Sequence, residues 1–266
     1  VATTSELDAA AVPATLIERL VDPPRPIPST GMVSPSLQPL PRLRRKRRVD
    51  VPGLVGRFLP NIAEIDDQVE PWALAWDEQN AEALIEDGPL WVVLGDSASQ
   101  SIGANHWTDG WVMLVRRRLR EATGQPWRVI NLAMSGGRFD NVLNDQLPVL
   151  RTHNLSPAMV TCVVGSNDMM WRRSTGPVVK DARELAEALP AGTLLSRLGG
   201  PGKRPRMVNE EWDRIAQARG LHLFSIWSWP GASGALAVDR IHPSNLGYTY
   251  MADLAWAAMN DHQLVP

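Results

Sequence analysis

From Leu90 onward, short apolar runs alternate with longer stretches that carry apolar residues at helical spacing. The first run, Leu90-Trp-Val-Val-Leu94, is rich in β-formers and bounded by Gly88-Pro89 and Gly95, which reads as a buried strand. Further strands are expected at Trp127–Ala133, Ala158–Val164, Thr193–Leu198 and His222–Trp227. Between them, helices are expected at Trp107–Glu121, stopped by Gly124, and at Phe139–Leu150, Val178–Leu189 and Met207–Arg219, with a last one over Ser244–Met259. An earlier stretch, Val69–Ile85, has an imperfect helical spacing and reads as a helix docked through Trp72 and Trp76. Strand and helix in regular alternation predict an α/β fold with a parallel sheet covered on both faces by right-handed crossovers. Sites on such sheets gather at the carboxyl ends of the strands, where Ser97 falls.

Before this domain the chain is of a different kind. Ten prolines lie between Pro13 and Pro60, too many for regular elements to persist, so residues 1–60 are expected to be an extension, followed by a leading helical segment at 61–88 and the main domain at 89–262. The extension carries Arg42, Arg44, Arg45, Lys46, Arg47 and Arg48. A charge run of this kind is most simply a solvated cluster; the sharper reading is attachment to an anionic membrane surface, at about 1 kcal/mol per cation. No aromatic residues interleave it, so nucleic acid is not an expected partner. Over the whole 266 residues the net charge is −2, which points to no polyanionic partner. Cys162 is the only cysteine, so no disulfide can form within the chain, and with no signal-like or membrane-spanning run a cytoplasmic location is expected.

Four small blocks at the ends of these elements carry chemistry: Gly95-Asp96-Ser97; Asn131 with Gly136; Gly165-x-Asn167-Asp168; and Asp239-x-x-His242-Pro243. In this order they resemble the sequence blocks of the SGNH hydrolases, also called GDSL esterases, over about residues 90–260. The resemblance implies a flavodoxin-like three-layer sandwich with five parallel strands in the order 2-1-3-4-5. It also implies hydrolysis of esters or thioesters without a cofactor, with an oxyanion hole formed by the N–H groups of Ser97 and Gly136 and the amide of Asn167. Two positions depart from the pattern: Ser101 stands where a glycine is frequent, with Gly103 two residues on, and Arg240 stands where a small residue is frequent.

The residues support the chemistry on their own terms. A serine hydroxyl is a poor nucleophile at neutral pH and needs an adjacent base; His242 has the right proton affinity, and Asp239, three residues earlier, can hold the other ring nitrogen. Each piece has a plainer alternative. Asp239 and His242 can be a turn residue and a loop histidine, Asn167-Asp168 can cap the following segment, and Gly136 can be a turn glycine. Asp96 is expected to bond within its own turn, and Asp168 to cap a helix. His106, His153, His222 and His262 read as structural, and no cluster has metal-ligand spacing. Trp107, Met169, Met170 and Trp171 follow the blocks and are candidates for an acyl pocket, with Arg172 and Arg173 available to an anionic head group.

Three function classes follow: a serine esterase of the lipase or lysophospholipase kind acting on short or medium acyl chains; an acyltransferase or sugar deacetylase using the same acyl-enzyme; and a non-catalytic, membrane-docked binding module.

Overall fold

The computed structural model describes residues 39–43, 60–170, 174–229 and 231–265. Two helices, α1 (Pro60–Asp66) and α2 (Val69–Ile85), precede the first strand, β1 (Leu90–Gly95). Then follow α3 (Trp111–Thr123), β2 (Arg128–Asn131), α4 (Phe139–Asn141), a π-helical turn at Val142–Gln146, α5 (Leu147–Thr152) and β3 (Met159–Val163). The remainder is α6 (Ser166–Met170), α7 (Thr175–Ala188), β4 (Leu194–Ser196), α8 (Lys203–Arg219), β5 (His222–Phe224) and α9 (Asn245–Asp261). The five strands form one sheet in the order β2-β1-β3-β4-β5. All pairs are parallel; Val92 stands opposite Ile130 on one side and Val160 on the other.

Every residue of β1 is buried, as expected for a central strand covered on both faces. Leu90, Val92 and Leu94 face a core shared with Leu147, Leu185 and Trp212, whereas Trp91 and Val93 face a second core with Trp111, Leu119, Tyr248 and Met251. This period-two alternation makes three layers, with α7 and α8 on one face and α3 and α9 on the other. The fold expected from the alternation of elements is the fold observed.

Several elements differ in extent from their sequence reading. β1 has its expected extent, whereas β2 to β5 are shorter by two or three residues, β2, β3 and β4 at both ends and β5 at its carboxyl end. Helix α3 begins only at Trp111; Trp107–Asp109 is a separate 3-10 turn, closed by Gly110, and Gly124 ends the helix in the left-handed region at φ +64°. Helix α8 starts at Lys203, with Pro205 tolerated in its first turn. Helix α1 falls within the expected leading helical segment at 61–88, whereas α6 has no counterpart in the sequence reading.

The docking of α2 also differs from expectation. Trp76 is buried, but Trp72 is only half-buried, and polar side chains do much of the fastening. Asn80 accepts the Asn131 N–H at 2.7 Å and donates to the Asn131 carbonyl at 2.9 Å, so one side-chain amide occupies the open edge of β2 as a further strand would. Among the described residues no helix is long and apolar enough to cross a membrane. Of the basic run, Arg42 is described and lies 3.5 Å from Asp77, while residues 44–48 lie outside the described residues.

Candidate active site

The connection from β1 leads to α3 on one face, and the connection from β2 leads to α4 and α5 on the other. The crevice between these loops, at the carboxyl edge of the sheet, is the switch point where such folds bind ligands. Ser97 sits there, as the first residue of a 3-10 turn spanning Ser97–Gln100. Asp96 caps this turn: its Oδ1 accepts the Ala98 N–H at 3.1 Å, the local role expected of it.

The loop before α9 brings Asp239 and His242 to the same edge. It doubles back on itself through an isolated bridge between Leu236 and Pro243, with the Ala237 N–H donating to the His242 carbonyl at 2.8 Å. Asp239 Oδ1 accepts the N–H groups of Ile241 and His242, each at 3.0 Å, and Oδ2 lies 2.6 Å from His242 Nδ1. His242 Nε2 lies 2.9 Å from Ser97 Oγ. The loop after Ser97 braces this arrangement: a Cβ on Gly103 would come within 2.5 Å of the Pro243 carbonyl and 2.8 Å of His242 Cβ. The Tyr248 hydroxyl donates to the Ile102 carbonyl at 2.7 Å, tying α9 to the same loop.

Two further blocks reach the crevice. Asn131, at the end of β2, donates to the Ser99 carbonyl at 2.7 Å and accepts the Ala133 N–H at 3.0 Å, locking the first two loops together. Gly136 has φ +74°, a conformation that L side chains rarely adopt. Asn167, on α6, is buried and donates to the Gly137 carbonyl at 2.9 Å. Asp168 accepts the Phe139 N–H at 3.1 Å, so it caps a helix, though α4 rather than the one it belongs to. Ser97, Gly136, Asn167, Asp239 and His242 all line one cavity of about 520 Å³, within the usual size range for small-ligand sites.

A family model of the GDSL-like lipase/acylhydrolases matches residues 93–250, well over half of the chain and all four blocks. The chain belongs to the GDSL-like lipase/acylhydrolase family. It is thereby a serine ester hydrolase. Similar solved structures agree in fold. TesA has a TM-score of 0.56 at 23% identity, covering 65% of this chain and 99% of TesA. The psychrotrophic esterase EstA from Pseudoalteromonas sp. has a TM-score of 0.54 at 21% identity, covering 65% of this chain and 97% of EstA. A family 3 carbohydrate esterase of Clostridium thermocellum has a TM-score of 0.52 at 14% identity, covering 67% of this chain and 99% of that one. Comparison with curated protein sequences returned no significant match.

The electrostatics of this GDSL-family site push Asp239 and Asp96 in opposite directions. Burial alone would raise the Asp239 carboxyl, but the His242 ring and two backbone N–H groups outweigh it and hold Asp239 below its ordinary value. An ionised carboxylate only accepts, so Nδ1 of His242 carries the proton and Nε2 is left as the acceptor for the Ser97 hydroxyl. Asp96 goes the other way. It is fully buried, and desolvation outweighs the Ala98 and Gly165 backbone N–H groups and raises it to about 7.

The expected acyl-pocket residues are divided. Met170 lines the cavity and is 54% exposed at its mouth. Trp107 does not line it: its ring packs edge-on to Trp76 at 5.1 Å, because the 3-10 turn directs it toward α2. Met169 lies against the core beneath α6, one residue out of phase with Met170. Trp171, Arg172 and Arg173 lie outside the described residues. In their place the cavity is lined by residues the sequence reading did not select, among them Ile62, Ile65, Val69 and Ala73. Their spacing, roughly three to four residues, was the available signal. Among the described residues, no group of three or more His, Cys, Asp or Glu is placed to hold a metal ion.

Proposed function

We propose that the protein hydrolyses carboxylic esters through an acyl-enzyme on Ser97, with His242 as general base and Asp239 orienting it. The observation that carries this reading is the 2.9 Å separation of His242 Nε2 and Ser97 Oγ at the wall of a cavity lined by apolar side chains. Ser97 Oγ attacks the ester carbonyl carbon while its proton passes to Nε2. The carbonyl oxygen becomes an anion, held by the N–H groups of Ser97 and Gly136 and the Asn167 amide, each such donor being worth about 3 kcal/mol in comparable enzymes. Collapse of the tetrahedral species expels the alcohol, which takes the proton from Nε2. Water then attacks the acyl carbon, gives its proton to Nε2, and the carboxylic acid leaves as Ser97 Oγ recovers a proton. Asp239 remains ionised throughout and stabilises the imidazolium that forms in each half-reaction.

The test is turnover of p-nitrophenyl butyrate. Ser97→Ala and His242→Ala should each lower kcat by three orders of magnitude or more while preserving the fold. Turnover by Ser97→Ala at the wild-type rate would overturn the assignment. An added alcohol acceptor that captured most of the acyl group would move the reading to the acyltransferase.

Contact of the run Arg42–Arg48 with anionic lipid is a separate proposal, supported by the charge of the run. Replacing the cations at 44–48 with glutamine should abolish pelleting with phosphatidylserine vesicles. Undiminished pelleting would refute it.

A further inference from the structure

We infer that the helical pair α1 and α2, with Leu43, forms the binding wall for the apolar chain of the ester and so sets the chain length the enzyme prefers. This inference rests on the ester-hydrolase reading of the same cavity. Leu43, Ile62, Ile65, Val69 and Ala73 line the cavity that contains Ser97 and His242, and all of them lie before residue 93, where the family match begins. Ile62 and Ile65 lie on α1 and Val69 and Ala73 on α2, and Asp66 and Glu70 line the cavity with them. The loops after β1 and β2 add Ile102 and Met134 to the apolar lining. An ester with only a two-carbon acyl group and a small alcohol would leave most of the roughly 520 Å³ unfilled.

The wall is fastened to the catalytic loops. Gln68, between the two helices, accepts the Gly103 N–H at 2.7 Å and donates to the Ala104 carbonyl at 3.2 Å. Eight residues on, Trp76 donates its indole N–H to the Gln100 carbonyl at 3.3 Å. Both contacts reach the loop that begins at Ser97, so the apolar wall is held in register with the nucleophile. Such a surface discriminates chains by contact area: each additional buried methylene is worth about a fourfold gain in kcat/KM until the cavity is filled.

The cavity does not by itself distinguish the acyl chain from the alkoxy chain of an ester, and two substrate series separate them. One is p-nitrophenyl esters from acetyl to dodecanoyl; the other is acetate esters of alcohols of increasing length, followed by acid release. The readout is the kcat/KM ratio of the eight-carbon to the two-carbon member. In wild type this ratio should exceed ten in one series. In that series Ile62→Ala should lower it by about fourfold or more, and Ala73→Phe, which narrows the cavity, by about tenfold. Leu74→Phe, on the exposed side of α2, should leave it unchanged. Ile62 is only half-buried, so its truncation keeps the test informative if Ala73→Phe fails to fold. Ratios unaltered by both wall variants, with esters still turned over, would overturn this inference and spare the ester-hydrolase reading. Absence of turnover on every ester by folded wild type would overturn both.

Discussion

Gln146 holds Gly95 by both main-chain groups: its Oε1 accepts the Gly95 N–H and its Nε2 donates to the Gly95 carbonyl, each at 2.8 Å. At this height β2 has already ended at Asn131, so the Gly95 N–H would otherwise be left unpaired on that side. The π-helical turn at Val142–Gln146 brings the amide to this position, two residues before Ser97. Gln146→Leu leaves the Gly95 N–H without its acceptor, whereas the carbonyl retains the Met134 N–H at 3.2 Å. The expected loss is about 2 kcal/mol of stability, measurable by urea unfolding, with a fall in kcat larger than any change in KM. An unchanged unfolding midpoint would contradict this account of the turn.

Ser101 has φ +69°, in the left-handed region, and its buried hydroxyl has no hydrogen-bond partner among the described residues. This explains why glycine suits the position. The side chain is accommodated because position 110 is glycine: a Cβ there would lie 1.9 Å from Ser101 Oγ. Ser101→Gly should therefore stabilise the protein by about 1 kcal/mol, raising Tm by roughly 2–4 °C in a chain of this size. Gly110→Ala should be strongly destabilising. A lower Tm for Ser101→Gly would show that the hydroxyl makes a contact that outweighs the strain.

Asp96 and Asp239 push stability in opposite directions with pH. Asp96 is raised from 3.8 to about 7 in the folded protein, so between these values the native state holds a proton that the unfolded chain releases, and stability falls as pH rises through that window. Asp239 is lowered, so its contribution is present above its ordinary value and is lost as pH falls through its folded one. Asp96→Asn removes the first effect. Its stability relative to wild type should improve from pH 4 to pH 7 by about 1.4 kcal/mol per unit, read from denaturant unfolding at a series of pH values. A difference independent of pH would show that Asp96 ionises normally.

Asn167 should act on the transition state more than on substrate binding. Asn167→Asp replaces the amide donor with an acceptor and should lower kcat by about 100- to 1,000-fold with little change in KM. Equal loss in kcat/KM carried entirely by KM would assign Asn167 to ground-state binding.

The parallel sheet covered on both faces and the position of three of the four blocks at strand ends were legible from local signals, since alternation gives the layers and glycine and serine mark where strands stop; the strand order 2-1-3-4-5 came only from the family resemblance. Side-chain direction beyond those ends was not legible. Met169 and Met170 are adjacent, yet only Met170 reaches the cavity, since a helical turn of α6 rotates neighbours apart by about 100°. Trp107 was drawn away by a 3-10 turn that its polar sequence did not announce. Helix α2 was visible as a helix but not as a wall, because its apolar residues serve two surfaces, the cavity through Val69 and Ala73 and the core through Trp76 and Ala83. Its fastening by Gln68 and Asn80 leaves no apolar pattern at all.

The most direct measurement is covalent labelling with a fluorophosphonate, followed by peptide mapping by mass spectrometry. The account predicts a single adduct on the peptide containing Ser97, lost in Ser97→Ala and slowed at least a hundredfold in His242→Ala. Labelling at a different serine, or none on folded wild-type protein, would contradict it.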